Sequence, residues 1–309
     1  MMPTLALCIP AYNASWSLPA LFESVSKQAV PFNEILLYND CSTDDTALVA
    51  AKFGVTVING KVNIGCSAGK NELAAHAKSE WLFFLDSDDE LLPGFTTAVL
   101  NALCEKTNAD MLLLGYLNRN TVTGEVRQTL PAAFIDLQKD AVEYMIKNKV
   151  VNSSVIKRNS FNSFGGFDTE PEILYIEDRA YSLKCAMAGL QFGMIAEPLF
   201  IVNFYPQSMS GRQPAKWIEA AVSLWKKTYA KTGNAYGAVI CLQLFENAVW
   251  AAKYSEWRLV KKSLKLASSI SPHQRPVASP LFSAMFGCWP FGAYLMREIL
   301  LRIYTHKTR

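Results

Sequence analysis

Between residues 4 and 117 short apolar runs alternate with helical patterns, and no other feature constrains the fold as much. Residues 4–9, 34–38, 55–58, 81–85 and 111–117 are short, apolar and bounded by polar or turn residues, as buried strands are. Between the first two, Leu18, Leu21, Phe22 and Val25 fall at helical spacing, with Pro19 tolerated in the first turn. Ser42, with Asp45 three residues on, starts a second helix that should stop at Gly54. Ser67 opens a third, running to about Lys78. Strands that alternate with helices pair in parallel, so the sequence predicts an α/β fold: a mostly parallel sheet with helices on both faces.

Such sheets bind ligands beyond the carboxyl ends of their strands. Ala11-Tyr12-Asn13 follows the first run, Asn39-Asp40 the second, and Asp86-Ser87-Asp88-Asp89 the fourth. Polar groups from three strands therefore converge on one rim. The acid cluster is the most telling, because two carboxylates about 4 Å apart repel by roughly 4 kcal/mol at an effective dielectric of about 20. A hard divalent cation with oxygen ligands relieves that repulsion; acids fanned out into water in a polar turn would also avoid it.

The net charge of +3 conceals an asymmetry: residues 251–309 carry ten Lys/Arg against two acids, while the rest of the chain is acidic. A basic tail on an acidic body suits an anionic membrane surface, and no nucleic-acid motif accompanies it. The seven cysteines are an odd, scattered set without a Cys-x-x-Cys pair, and His76, His273 and His306 are far apart. A disulfide framework, a zinc centre and a Ser-His-Asp or Cys-His nucleophile are not legible, and a reducing compartment is expected. The first twelve residues have no basic leader and too short an apolar run for a signal peptide, which places the start of the chain in the cytoplasm. Gly65-x-x-x-Gly69-Lys70-Asn71 misses the phosphate-loop pattern by one residue between the glycines and by Asn71 where Ser or Thr would hold magnesium.

Past Gly124 the periodicity weakens. Gly165-Gly166-Phe167-Asp168 reads as a turn, and Glu177-Asp178 precedes a helix-like run to Gly189. From Trp217 the pattern is helical, in three or four amphipathic segments. Residues 277–296 carry no charge, are flanked by Arg275 and Arg297, and include Pro280, Gly287, Pro290 and Gly292. The length would span a bilayer, but the prolines favour segments docked at its interface, with Lys261, Lys262, Lys265, Arg302 and Lys307 toward anionic lipid. The expected organisation is an α/β domain over residues 1–212, with one part to about 118 and a second from 119, followed by a basic helical region over 213–309.

Several segments together resemble the inverting, sugar-nucleotide-dependent glycosyltransferases of family 2, which have the GT-A fold. They are Cys8-Ile9-Pro10-Ala11-Tyr12-Asn13, Tyr38-Asn39-Asp40-Cys41-Ser42-Thr43-Asp44, Asn63-Ile64-Gly65-Cys66-Ser67-Ala68-Gly69-Lys70-Asn71, Leu85-Asp86-Ser87-Asp88-Asp89, Gly165-Gly166-Phe167-Asp168 and Glu177-Asp178. The likeness covers residues 4–211. It implies that Pro10, Tyr12, Asn13 and Asp40 hold the nucleotide base and ribose, with Asp40 accepting from the base edge. By the same likeness Lys70 stands where the family commonly has Arg and faces the diphosphate. Asp86 and Asp88 match the Asp-x-Asp element that binds Mn or Mg, with Asp88 the direct ligand and Asp86 also contacting the donor. Asp178 matches the catalytic base and Glu177 its supporting neighbour. Cys41 replaces the usual Gly, and Tyr205 stands where many members carry a metal-binding His.

The function so implied is transfer of a sugar from a UDP-sugar to a hydroxyl of a glycan or lipid-linked acceptor, with inversion. The implied setting is bacterial surface-glycan assembly, on the cytoplasmic side and peripheral to the inner face of the membrane. A nucleotidyltransferase, which would release pyrophosphate, and a non-catalytic nucleotide-sugar-binding scaffold are the alternatives.

Overall fold

The structure, a computed structural model, describes residues 2–105, 108–148, 150, 154–206 and 213–307. It divides into two compact units, residues 1–169 with 177–208, and residues 170–176 with 209–309. The expected boundary at 212/213 borders residues 207–212, which lie outside the described residues, as do Gln207 and Ser208 of the segment around Tyr205.

Among the described residues the first unit is built on one sheet of nine strands: β1 (Leu5–Ala11), β2 (Glu34–Asn39), β3 (Thr56–Asn59), β4 (Trp81–Phe84), β5 (Glu90–Leu91), β6 (Met111–Asn120), β7 (Val126–Thr129), β8 (Ser154–Lys157) and β9 (Phe192–Phe204). Their order is β3-β2-β1-β4-β8-β6-β9-β5, with β7 paired to β6. The first four run parallel. Beyond β4 the sheet is mixed: β8 lies antiparallel between β4 and β6, β9 runs parallel to β6, and β5 is antiparallel to β9. All seven residues of β1 are buried, as expected of a strand covered on both faces.

On one face Leu5, Leu7 and Ile9 pack with α1 (Leu18–Ser26) and α4 (Phe95–Glu105), where the Phe83 and Phe95 rings lie 4.6 Å apart. On the other, α3 (Cys66–His76) lies against β1 and β2. Gly69 permits that approach, since a Cβ there would stand 3.0 Å from the Tyr38 ring. The unit also holds α2 (Thr46–Lys52), α5 (Phe134–Lys139), α6 (Ala141–Lys147), α7 (Arg158–Ser163) and α8 (Glu177–Met187).

Two local expectations change. Pro10 does not end the first strand, which continues to Ala11. Pairing with β4 finishes at Cys8, and Pro10, two residues on, turns its missing N–H toward that vacated side. Ser42 is not a helix cap. Its hydroxyl accepts from Asn13 N–H, and α2 starts at Thr46, whose backbone N–H bonds Asp44.

Among the described residues the second unit contains two 3₁₀ turns (Pro171–Ile176 and Gly233–Tyr236) and five α-helices: α9 (Pro214–Thr232), α10 (Gly237–Lys253), α11 (Trp257–Ile270), α12 (Pro280–Cys288) and α13 (Pro290–Lys307). That is one or two more than the pattern predicts, because the uncharged stretch breaks at Trp289-Pro290. Buried Asn247 of α10 ties three helices, donating to Ile218 O of α9 at 3.1 Å and Ser263 Oγ of α11 at 3.1 Å. Among the described residues, Pro214–Lys253 is the stretch long and apolar enough to cross a membrane, and 56% of its apolar window is buried inside the chain. Residues 277–296 form no such helix. The side chain of Lys307 lies outside the described residues.

Candidate active site

The rim is held together by hydrogen bonds among its own residues. Asn13 takes a left-handed φ of 50° just past β1, and its Oδ1 accepts from Thr43 N–H at 2.8 Å and from the Thr43 hydroxyl at 3.2 Å. Ala14 N–H donates to Thr46 Oγ1 at 2.8 Å, and Ser15 N–H and Oγ donate to Asp44. The loops after β1 and β2 are therefore stitched together, and Tyr12, 53% exposed, stands out from the seam. Asn13 is a structural clasp in this arrangement as well as a rim residue.

Asp40 is buried at the end of β2. Its two oxygens accept from Ile64 N–H at 2.7 Å and Gly65 N–H at 2.9 Å. Gly65 immediately precedes α3, so Asp40 fixes the start of the helix that carries Lys70. One lone pair on each carboxylate oxygen is left for a further donor.

Lys70 is the centre of the site. Its side chain has no exposed surface, and its ammonium stands 3.3 Å from Asp86 Oδ1, 3.4 Å from Asp178 Oδ1 and 5.2 Å from the centre of the Phe167 ring. Burial alone would drive the ammonium's pKa down. The charges of Asp178 and then Asp86 outweigh that and hold it well above its ordinary value. Among the expected site residues, Lys70, Asp86 and Asp178 meet directly.

The three acids of the cluster part company. Asp89 turns inward, where its Oδ1 accepts from Asn203 N–H at 2.9 Å, and burial followed by the charges of Asp86 and Asp88 pushes its pKa well up. Asp86 leans toward Lys70. Asp88 is pushed up to about 6 by burial and by repulsion from Asp86. Asn203 of β9 also donates to Asp88 O at 2.7 Å and accepts from Arg119 Nε at 2.7 Å, while Arg119 pairs with Glu90. This brace has no counterpart in the sequence reading; a polar Asn inside the apolar run 199–204 was its only trace.

Glu177 and Asp178 occupy the first turn of α8, where the helix dipole favours acids. Burial first, then the neighbouring Asp178 charge, pushes Glu177 up to about 8. Behind them the glycine turn is held by Asn71, whose Nδ2 donates to Phe167 O and whose Oδ1 accepts from Phe167 N–H, both at 2.9 Å. Gly166 has φ 62°, and a Cβ there would collide with Asn71 Oδ1 and the Phe161 ring. Phe167 is thus fixed beneath the Lys70 ammonium.

Asp86 and Asp88 suit a magnesium or manganese ion. The donors are hard oxygens, Asp88 gains from a nearby cation, and Asp86 Oδ1 is buried without accepting a hydrogen bond even though Lys70 stands close. Among the described residues no group of three or more His, Cys, Asp or Glu side chains forms a metal cage. Two carboxylates completed by substrate phosphates are what magnesium ordinarily uses. Tyr205 adds no anionic ligand. Burial and then the Asp88 charge raise its phenol, and its ring packs edge-on against Trp16 with centroids 5.0 Å apart.

A sequence model described as glycosyl transferase family 2 matches residues 6–166. An uncharacterized glycosyltransferase of Haemophilus influenzae is 26% identical over 232 residues, covering 74% of this chain and 78% of that protein. The Escherichia coli enzyme WfgD, a UDP-Glc:alpha-D-GlcNAc-diphosphoundecaprenol beta-1,3-glucosyltransferase, is 24% identical over 166 residues, 52% of this chain and 62% of its own. Among solved structures, Staphylococcus aureus TarS 1–349 in complex with UDP-GlcNAc superposes with a TM-score of 0.61 over 87% of this chain and 90% of that one, at 14% identity.

Proposed function

This chain belongs to glycosyl transferase family 2 and has the GT-A fold; we propose from its site that it moves a sugar from a UDP-sugar to an acceptor hydroxyl with inversion, in the assembly of a bacterial surface glycan. The observation that carries this reading is the buried Lys70 ammonium between Asp86 and Asp178. It couples a donor-side acid to an acceptor-side base.

In this reading Asp178 takes the proton of the acceptor hydroxyl as that oxygen attacks the anomeric carbon. The bond from that carbon to the diphosphate oxygen breaks in the same step, and attack from the far side inverts the centre. Lys70 keeps Asp178 ionised and aimed, and its burial leaves it acting on the donor through Asp86. Glu177, held neutral near physiological pH, keeps a second negative charge away from Asp178. Pro10, Tyr12, Asn13 and Asp40 form the nucleoside side of the rim. Asp86 and Asp88 would hold a magnesium or manganese ion, which when bound neutralises charge on the departing diphosphate.

The acceptor is a glycan or a lipid-linked saccharide, which WfgD's substrate and the basic C-terminal region both support. The enzyme works peripherally at the inner face of the membrane. Incubation with a panel of sugar nucleotides, magnesium or manganese and lipid-linked acceptors tests the reading. Release of UDP and a product of inverted anomeric configuration is expected; pyrophosphate release, or ligand-induced thermal stabilisation without turnover of any donor, overturns it.

A further inference from the structure

The helices of the second unit enclose an apolar cavity among the described residues. It has a volume of about 620 Å³ and is walled by Leu242 and Val249 of α10, by Val277 and Leu281, and by Met296 and Leu300 of α13. That volume is in the range of ligand pockets, about 300–1,000 Å³. Its outer wall is unusually apolar for surface: Val277 is 93% exposed, Leu281 68% and Leu300 54%. A second cavity of about 420 Å³ shares Phe245 with the first and is lined by Lys261, Lys265, Arg275, Trp289 and Phe291. The Lys261 ammonium stands 5.0 Å from the Phe291 ring centre, and the Arg275 guanidinium 6.0 Å from that of Phe286. An apolar chamber thus adjoins a cationic, aromatic one.

We propose that these two chambers bind one anionic phospholipid of the bilayer, its acyl chain entering between α10 and α13 and its phosphate meeting Lys261, Lys265 and Arg275. The proposal rests on the peripheral membrane reading above and goes further, from adsorption to capture of a lipid tail. Charge selects the occupant. Residues 251–309 carry ten cations and two acids, Glu256 and Glu298, of which Glu298 is buried and paired with Arg297; α10 adds one exposed acid, Glu246, to the lining of the first cavity. A second copy of the chain presenting this face would bring like charges together, whereas an anionic leaflet brings the complement. Trp289, 59% exposed, sits at the break between α12 and α13, where an indole favours the headgroup level. Because α12 and α13 meet at that break, this stretch enters the interface and does not cross it.

The test uses the full chain with vesicles of phosphatidylglycerol and phosphatidylcholine, some lipids brominated near the carboxyl end of the acyl chain. Bromine is expected to quench the Trp289 part of the fluorescence, identified by its loss in Trp289→Phe. The double variant Val277→Asp/Leu281→Asp alters exposed side chains, leaves folding intact, and should abolish quenching and weaken binding by about a hundredfold. Lys261→Gln/Lys265→Gln should weaken binding to these vesicles and make the residual binding less sensitive to salt. Salt-sensitive adsorption without quenching, unchanged in the aspartate variant, overturns tail capture and leaves peripheral binding standing. No adsorption to any vesicle overturns both. Sedimentation that shows a dimer broken by the aspartate variant, with no quenching, assigns the face to a second copy and overturns the proposal.

Discussion

The Lys70 ammonium lies 3.4 Å from Asp178 Oδ1, although 108 positions separate the two residues in the chain. With Asp86 on its other side, Lys70 joins the strand that delivers the acids to the helix that starts at Glu177. Each expectation below depends on that bridge or on the acids beside it.

Asp178→Asn keeps the shape and removes the proton acceptor. Turnover should fall by about 10²–10⁴-fold, the usual worth of a general base. UDP-sugar affinity, read by calorimetry, should stay within about threefold, since the donor-side groups are intact. Near-normal turnover would remove Asp178 from the mechanism.

Lys70→Met leaves Asp86 and Asp178 without their shared cation in a buried setting. Breaking a fully buried pair by deleting one partner costs about 3–5 kcal/mol; the carboxylates left here are 42% and 25% exposed and keep part of their hydration, so denaturant midpoints should fall by less than that. The acidic limb of the pH–rate profile should also move to higher pH, because Asp178 loses the charge that keeps it ionised. Equal midpoints with an unmoved limb would contradict the bridge.

Glu177 gives the metal-free protein a pH-dependent stability. Its pKa is raised from 4.5 to about 8 on folding, so the native state binds the extra proton. Stability is fully present below about 4.5, declines as pH rises, and levels off above about 8. Melting temperatures taken in chelator across that window should fall, and Glu177→Gln should flatten the descent.

Metal binding should carry the opposite slope. Asp88, raised to about 6 without a cation, must lose its proton to become a ligand. Stabilisation by manganese plus UDP is therefore expected at pH 8, shrinking as pH falls through about 6, and absent in Asp88→Asn. Equal stabilisation of that variant at pH 8 would place the ion elsewhere.

β1, β2 and β4 are legible because burial makes them continuous apolar runs, as in Leu5–Ala11, whereas the partly exposed β3 shows as a short β-branched run. β5, β8 and β9 are not legible: the first two have two and four residues, and β9 exposes Glu197 midway and slips register against Gly115. The rim residues were found by family likeness and strand position together. What the string hid was the burial of Lys70, since a cation on its own reads as surface. A signal was present nonetheless: Lys70 shares a helix face with Leu73 and Ala74, three and four residues on, and both are buried. Asn71 and Asn203 escaped because their work is done across the fold, on Phe167 and Asp89, with no local pattern to mark it.

Because Asn13, Ser15, Ser42 and Thr46 already lace together the turns after β1 and β2, an incoming nucleoside need not freeze that stretch of chain to be recognised. Little conformational entropy remains to be lost on that flank at the moment of encounter. Choice among bases should then rest with the shape of the ready-made edge, and tolerance for new donors should come from exchanging side chains there while the backbone stays put.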